Sequence, residues 1–395
     1  KKIKIIIKMV INQAVIVCGG YGRRLGKITL KTPKPLIKVK NLSVLEHIIK
    51  NLTRYGIKNI LLLCHYKYNK FKKKFHNKNF YGANIQCLEE KKLLGSSGAL
   101  YNAKKKLDND FVFCNGDTFF DINISDLIFE YFKNKKIAQL ALKKKNDTKK
   151  YDTFKIGKKN LLIDDLEKKS KLINSGICVF SKKIIPYLLK EGSLEKSVYK
   201  KLIRLKKIFG KEYKNDFLDM GSITSLKRLP KFLKKISNKP CLFLDRDGVI
   251  NKDTGYVHKK NDFIWRKGIF KFIKKYNDKN YYVIIVTNQS GIGRGYYKET
   301  DLIKLNDWMK KEIRLYGGNV DKIYYAPFYK SSKLMKFRKN RNMRKPNVGM
   351  IIKAKKEFNI DISKSLLIGD SEVDKLTAIN SNMKYKILKF NSQIN

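Results

Sequence analysis

Cys241-Leu242-Phe243-Leu244-Asp245-Arg246-Asp247-Gly248-Val249-Ile250-Asn251 opens with four apolar residues and breaks into two carboxylates at i and i+2, followed by a glycine. A short apolar run closed by turn residues reads as a buried strand. Side chains two apart on a strand point to one side, so Asp245 and Asp247 leave the strand end able to share a cation. Without one, two adjacent carboxylates repel and one pKa rises; a magnesium ion removes the conflict. Apolar runs of the same kind follow at 282–286, 322–325 and 365–368, each ending in a loop with polar residues. Strands alternating with helix-period segments predict a mostly parallel, doubly wound α/β sheet, whose ligands bind at the carboxyl ends of the strands.

The pattern also runs upstream. Ala14 to Cys18 precedes Gly19-Gly20, Phe111 to Cys114 precedes Asn115-Gly116-Asp117, and 60–64 and 177–180 are similar runs, with helix-period segments at 44–55 and 98–106. Between the halves lies LKRLPKFLKKISNKP, 226–240, a lysine-rich stretch with two prolines. It reads as a linker, so the domains are expected at 9–236 and 237–390, in line with about two to three domains for 395 residues. Lys1 to Val17 has the basic and apolar character of a targeting segment, but Lys8 interrupts it and a glycine-rich turn follows. It therefore reads as a first strand, with Met9 a candidate start.

Lys plus Arg outnumber Asp plus Glu by 89 to 34, a formal charge of +55. Such an excess points to nucleic acid or an anionic membrane. Only 12 of the 89 are Arg, however, and the lysines scatter over both halves of an Asn- and Ile-rich chain. A surface built for nucleic acid favours Arg, clustered with aromatics, so no specific nucleic-acid partner is expected, only attraction for phosphorylated small molecules. The six cysteines form no CxxC pair and sit in apolar runs, as buried thiols of a reducing, cytoplasmic compartment do. No stretch of about 18 apolar residues predicts a membrane span. Oligomeric state leaves no mark.

Gly19-Gly20-Tyr21-Gly22-Arg23-Arg24-Leu25-Gly26 follows the first strand, and closely spaced glycines let backbone N–H groups approach phosphate. Lys31-Thr32-Pro33-Lys34-Pro35-Leu36 then presents Lys34 on a segment stiffened by two prolines. These segments resemble the sugar-phosphate nucleotidyltransferase signature GGxGxRL…PKP. Further resemblances follow in order. Gly95-Ser96-Ser97-Gly98-Ala99-Leu100 resembles the base-recognising segment, and Asn115-Gly116-Asp117 a metal-binding turn. Glu167-Lys168 and Asn174-Ser175-Gly176-Ile177 resemble sugar-contacting segments, and Phe217-Leu218-Asp219-Met220-Gly221 the second metal aspartate. The resemblance implies a Rossmann-like domain in which Asp117 and Asp219 hold Mg²⁺. Gly19, Gly20, Gly22 and Gly98 would meet the nucleotide, Arg24 and Lys34 stabilise the phosphates, and Glu167, Lys168 and Asn174 take the sugar. No general base is needed, because the attacking phosphate is already an anion. Ser96-Ser97 in place of Thr-Ala leaves the base open.

The acidic turn of the second half resembles motif one of the haloacid dehalogenase phosphatases. Val286 to Gly291, Arg344-Lys345-Pro346 and Gly369-Asp370-Ser371 with Asp374 supply the other motifs, at separations of 42, 58 and 25 residues that leave no room for a large cap. Gly255-Tyr256-Val257 and the run from Asn288 to Arg294 narrow the resemblance to the histidinol-phosphatase and heptose-bisphosphate phosphatase branch. It implies Asp245 as nucleophile, Asp247 as acid and base, and Thr287, Asn288 and Lys345 on the phosphoryl oxygens. Gln289, Ser290, Arg294 and Arg344 would contact substrate, and Asp245, Asp247 and Asp370 would hold Mg²⁺ with Asp374 in support. Ala326 to Arg344 lacks Cys and His, so the zinc staple of many relatives is expected to be absent. Its basic residues, Lys330, Lys333, Lys336, Arg338, Lys339 and Arg341, read as a solvated loop, with a grip on a second phosphate as the alternative.

Together the resemblances imply a bifunctional enzyme. One domain removes the 7-phosphate of D-glycero-D-manno-heptose 1,7-bisphosphate, and the other couples the resulting 1-phosphate to a nucleotide, by family analogy GMP from GTP. The alternatives are a histidinol-phosphate-type phosphatase beside a transferase for another sugar, and a basic RNA-binding or scaffold protein with relict sites.

Overall fold

Ala14, Val15 and Ile16 are wholly buried because the strand they form has sheet neighbours on both edges and packing on both faces, the environment that makes a strand read as one apolar run. In the computed structural model, which describes residues 10–134, 136–165, 167, 169–339, 341–389 and 392–394, this strand, β1 (Gln13–Val17), is central to an eight-stranded sheet. In chain order the others are β2 (Asn59–Cys64), β3 (Lys78–Phe80), β4 (Ala83–Glu89), β5 (Asp110–Asn115), β6 (Ala138–Lys144), β7 (Leu172–Ser181) and β8 (Ile208–Glu212). The order across the sheet is β8-β6-β7-β5-β1-β2-β4-β3. The centre, β5, β1, β2 and β4, is parallel, whereas β7 runs antiparallel to both β5 and β6. β8 pairs parallel with β6, so six of the eight strands run one way and only β7 and β3 run against them, a mostly parallel sheet as the alternation predicts.

The first domain closes with the helix Ile223–Ser237, where the sequence reads a linker. Ser222 accepts from Ser225 N–H at 3.2 Å as an N-cap, and Leu229 and Leu233 are buried one turn apart. That apolar stripe keeps the segment helical despite Pro230 in its interior. The chain divides into two compact units, one up to Leu233 and the other from Lys234.

In the second unit β9 (Cys241–Leu244), β10 (Tyr282–Asn288), β11 (Lys322–Ala326), β12 (Leu366–Gly369) and β13 (Lys384–Ile387) form an all-parallel sheet, order β11-β10-β9-β12-β13. Alternate residues of β9 feed opposite cores. Leu242 and Leu244 pack with Val283, Ile285 and Ile368, and Cys241 and Phe243 with Ile284, Val286 and Leu367. Each such large apolar side chain contributes about 1.5–3 kcal/mol. The carboxyl ends of β9, β10 and β12 thereby bring Asp245, Thr287 and Asp370 to one edge of the sheet.

Candidate active sites

At the end of β1 the Cys18 N–H donates to Leu63 O at 2.7 Å, and the chain enters the glycine loop. Gly22 has φ +67°, and a Cβ there would lie 2.8 Å from Thr29 Cγ2, so glycine is required twice over. Thr29 Oγ1 closes the loop by donating to Gly22 O (3.2 Å) and Gly26 O (3.0 Å). Lys34 is buried, with its ammonium 2.5 Å from Asp117 Oδ2.

Asp117 and Asp219, distant in sequence, meet through an antiparallel ribbon of Thr118–Phe120 and Phe217–Asp219. It pairs Thr118 with Asp219 and lets Met220 N–H donate to Asp117 O at 3.1 Å. Tyr151 donates its hydroxyl to Asp219 Oδ2 at 3.1 Å. A Cβ on Gly221 would stand 3.0 Å from Asp219 Oδ2 and 3.3 Å from Arg24 Nη1, so the guanidinium and the carboxylate converge on that glycine. Gly20, Gly22, Arg24, Lys34, Asp117 and Gly221 line one cleft of about 260 Å³. Two carboxylates on neighbouring rungs are the hard oxygen donors a divalent cation takes.

The segment expected to read the base packs against residues 189–194. In the helix Gly95–Asn102, Ser96 Oγ accepts from Leu194 N–H and Ser97 Oγ from Leu189 N–H, each at 2.8 Å. A Cβ on Gly98 would lie 2.6 Å from Lys190 O. Gly98 is thus a packing glycine against residues 190–191, and the small side chains before it clamp that segment. Asn174 is engaged within the protein, donating to Glu195 Oε1 (3.3 Å) and accepting from Gly176 N–H (3.1 Å). Glu167 is exposed beside Lys169; Lys168 lies outside the described residues.

In the second domain Lys345 is buried between two carboxylates, 2.8 Å from Asp245 Oδ2 and 2.5 Å from Asp374 Oδ1. Burial would pull its ammonium down, but the two carboxylates outweigh that and hold it above its ordinary value. Burial pushes Asp245 up to about 7, against the pull of Lys345 and with Asp374 and Asp247 adding to the rise. Asn288 fixes the lysine through a reciprocal pair of hydrogen bonds, Lys345 N–H to Oδ1 (3.0 Å) and Nδ2 to Lys345 O (3.1 Å). Oxygens of Asp245, Asp370 and Asp374 lie within 4.8 Å of one another, a donor set that could hold a metal ion. Gly248, at φ +78°, makes room for this cluster, since a Cβ there would collide with Asp370. Arg266 donates to Gly248 O, and also to Lys389 O (2.6 Å) and Ser392 O (2.7 Å), binding the segment beyond β13 to the acidic turn.

Asp247, expected among the metal ligands, is outside that set. Its carboxylate accepts from Arg246 Nη2 (2.8 Å), Gln289 Nε2 (2.8 Å) and Asn251 Nδ2 (2.9 Å). Gln289 stands in the wall of the cavity, held by Tyr297 and donating also to Thr287 Oγ1. Ser290 lines the cavity of about 360 Å³ with Asp245, Asp247, Thr287, Asn288, Lys345 and Asp370. Arg294 stacks over the Tyr329 ring at 3.8 Å, and Arg344 donates to Phe328 O at 3.3 Å. Burial, with the Arg294 charge adding to it, lowers the Arg344 guanidinium from its ordinary value. Of the basic loop, Arg338 is spent on its own fold, donating to Ser332 O. Sequence reading missed Arg246, wholly buried against Asp247, although its place between two aspartates was a signal. It also missed Asp253, and gave Tyr256 no role beyond its place in the Gly255-Tyr256-Val257 motif; both stand in the cavity wall.

A family model described as nucleotidyl transferase matches residues 13–236, and one described as polynucleotide kinase 3 phosphatase matches 242–390. The D-glycero-alpha-D-manno-heptose-1,7-bisphosphate 7-phosphatase of Campylobacter jejuni is 44% identical over 147 residues, 37% of this chain and 80% of that protein. The D-glycero-beta-D-manno-heptose-1,7-bisphosphate 7-phosphatase of Haemophilus ducreyi is 41% identical over 151 residues, 38% and 82%. Among solved structures, UTP-bound UGPase from Acinetobacter baumannii matches 57% of this chain and 93% of its own with a TM-score of 0.50, at 17% identity, a likeness of fold.

Proposed function

We propose, for a chain that belongs to the nucleotidyl transferase family through residues 13–236 and to the family of the heptose-bisphosphate 7-phosphatases through its second domain, that one polypeptide catalyses two consecutive steps of nucleotide-activated heptose synthesis. The second domain removes the 7-phosphate of D-glycero-D-manno-heptose 1,7-bisphosphate. The first transfers a nucleotidyl group, expected from GTP, to the remaining 1-phosphate and releases pyrophosphate.

The observation that carries the phosphatase reading is the buried Lys345 between Asp245 and Asp374 at the end of a parallel strand. Asp245 attacks phosphorus and forms an aspartyl-phosphate. Asp247, oriented by Arg246 and Gln289, gives a proton to the leaving sugar oxygen and then takes one from the hydrolytic water. Lys345 and Thr287 neutralise and orient the phosphoryl oxygens. Arg294 and Arg344 would take the second phosphate of the bisphosphate, with the basic loop as the alternative.

In the first domain the substrate phosphate is the nucleophile, so the protein supplies charge and alignment: Arg24 on the triphosphate and Lys34 between the reacting groups. Magnesium, held by Asp245 and Asp370 with Asp374 in support, and by Asp117 and Asp219 in the other site, would supply neutralisation of phosphoryl charge. The six cysteines are free and buried, which supports a reducing, cytoplasmic setting, and no described helix is long and apolar enough to cross a membrane.

The test is incubation of the protein with heptose 1,7-bisphosphate, Mg²⁺ and each nucleoside triphosphate separately. Phosphate in every tube and pyrophosphate in only one is the expected result. Phosphate without pyrophosphate removes the transferase assignment, and neither product removes the heptose substrate.

A further inference from the structure

Tyr297 is buried, and it stands in the wall of the phosphatase cavity. A Cβ built on Gly291 would lie 2.3 Å from Tyr297 Cε1, so only a glycine lets the ring come so close to that backbone. The His258 ring stacks on the Tyr297 ring, with centres 4.7 Å apart and planes 5° from parallel, and His258 is itself tied down through Nδ1, 2.8 Å from Tyr256 O. Ile292, Leu302 and Phe337 supply the apolar surroundings of Tyr297.

From this fixed ring the hydroxyl reaches toward the chemistry. It donates to Gln289 Oε1 at 2.6 Å, and the other end of the same amide, Nε2, donates to Asp247 Oδ2 at 2.8 Å and to Thr287 Oγ1 at 2.9 Å. Asp247 Oδ1 accepts from Arg246 Nε (3.1 Å), Arg246 Nη2 (2.8 Å) and Asn251 Nδ2 (2.9 Å), which fills its lone pairs. Oδ2 shares Arg246 Nη2 at 2.8 Å and takes Gln289, so it is the oxygen with room for a proton. Burial pushes the Tyr297 hydroxyl up to about 12, against the pull of Arg246 and with Asp247 adding to the rise. The phenol therefore stays a donor at neutral pH.

We propose that Tyr297 is a positioning residue of the phosphatase, which holds the Gln289 amide so that the acid proton of Asp247 stays aimed at the leaving oxygen. The assignment rests on the phosphatase reading above. In the first step the bond from phosphorus to the leaving oxygen breaks as the bond from Asp245 forms, and the leaving oxygen takes the proton of Asp247. The two ends of a glutamine amide are alike in shape and opposite in hydrogen bonding. While Asp247 is protonated, a reversed amide would turn Oε1 toward Oδ2, accept that proton in a hydrogen bond and withhold it from the substrate. The Thr287 hydroxyl can bond either end of the amide and does not choose between them. A phenol donates more strongly than it accepts, and its short bond to Oε1 weights the amide toward the productive orientation.

The test compares leaving groups on the intact protein. A sugar oxygen must be protonated as it departs, whereas the phenolate of p-nitrophenyl phosphate departs without a proton. Tyr297→Phe should lower kcat/KM for heptose 1,7-bisphosphate by about 10-fold and for p-nitrophenyl phosphate by less than about 2-fold. A residue that only braced the fold would lower both alike. Adding Tyr297→Phe to Gln289→Ala should cost less than about 2-fold more, because the two act through one amide. Equal falls for the two esters, no fall for the bisphosphate, or losses that multiply in the double variant overturn the proposal. A melting transition like that of the wild type would show that Tyr297→Phe is folded, and should it misfold, the same leaving-group contrast in Gln289→Ala decides. Wild-type hydrolysis of p-nitrophenyl phosphate but not of the bisphosphate removes the heptose substrate, and the contrast is then read with histidinol phosphate, another alkyl ester. Failure to release phosphate from any of the three removes the phosphatase reading and this proposal with it.

Discussion

Each domain sets a lysine against an aspartate, but in different media. Lys34 and Asp117 meet at the mouth of a cleft with the carboxylate side chain 33% exposed, whereas Lys345 lies 2% exposed between Asp245 at 14% and Asp374 at 0%. The difference follows the chemistry. Where a protein carboxylate is the nucleophile, it must shed water before it attacks, and a buried ammonium and a cation site are needed to keep it ionised. Where the substrate's own phosphate attacks, the protein has only to neutralise and align charge, and a wetter pair suffices.

The sharpest test of that contrast removes the nucleophile. Asp245→Asn should lower phosphate release by roughly 10⁴-fold or more while pyrophosphate release from supplied sugar 1-phosphate stays at the wild-type rate. A parallel loss of both activities would mean that the two sites are not chemically independent. Next in size is a stability difference. Lys345→Met strands two buried carboxylates and should destabilise its domain by about 3–5 kcal/mol, whereas Lys34→Met, beside a partly solvated partner, should cost about 1 kcal/mol or less. Melting curves of the two variants would be compared, and equal losses would erase the distinction drawn from burial. Smallest is Tyr151→Phe, which deletes one hydrogen bond to Asp219, a bond to a charged group worth about 1.5–3 kcal/mol at most. Pyrophosphate release should fall by about 10-fold with phosphate release untouched. An unchanged transferase rate would detach Asp219 from the reaction.

The same contrast explains what could be read in the sequence. Strands buried on both faces, such as β1, β5, β9 and β10, announce themselves as apolar runs that end in the residues of the sites. β13, exposed at all four positions, and the short edge strand β3 carry no such mark. The Asp245 turn and Lys345 were legible because their chemistry demands those residue types at strand ends. Of the neighbours that hold Asp247, Arg246 and Asn251 stand beside it in the sequence, but Gln289, 42 residues on, meets that carboxylate only when the fold brings it there. The serines and glycine of 96–98 have a packing role that the sequence did not show. Small residues serve equally to admit a ligand and to let two backbone segments touch, and here they do the second.

The grip of Arg266 on both Gly248 and the backbone at Lys389 and Ser392 makes the phosphatase vulnerable to proteolysis far from its chemistry. Gly268 leaves no space for a side chain beside Ile394 O, and the buried Ile394 anchors the same segment. Cleavage of the backbone between Lys389 and Ser392 would free the guanidinium from one of its anchors and loosen the turn carrying Asp245. Clipping would then register first as fading phosphate release, with the transferase still at work on any sugar 1-phosphate it is given.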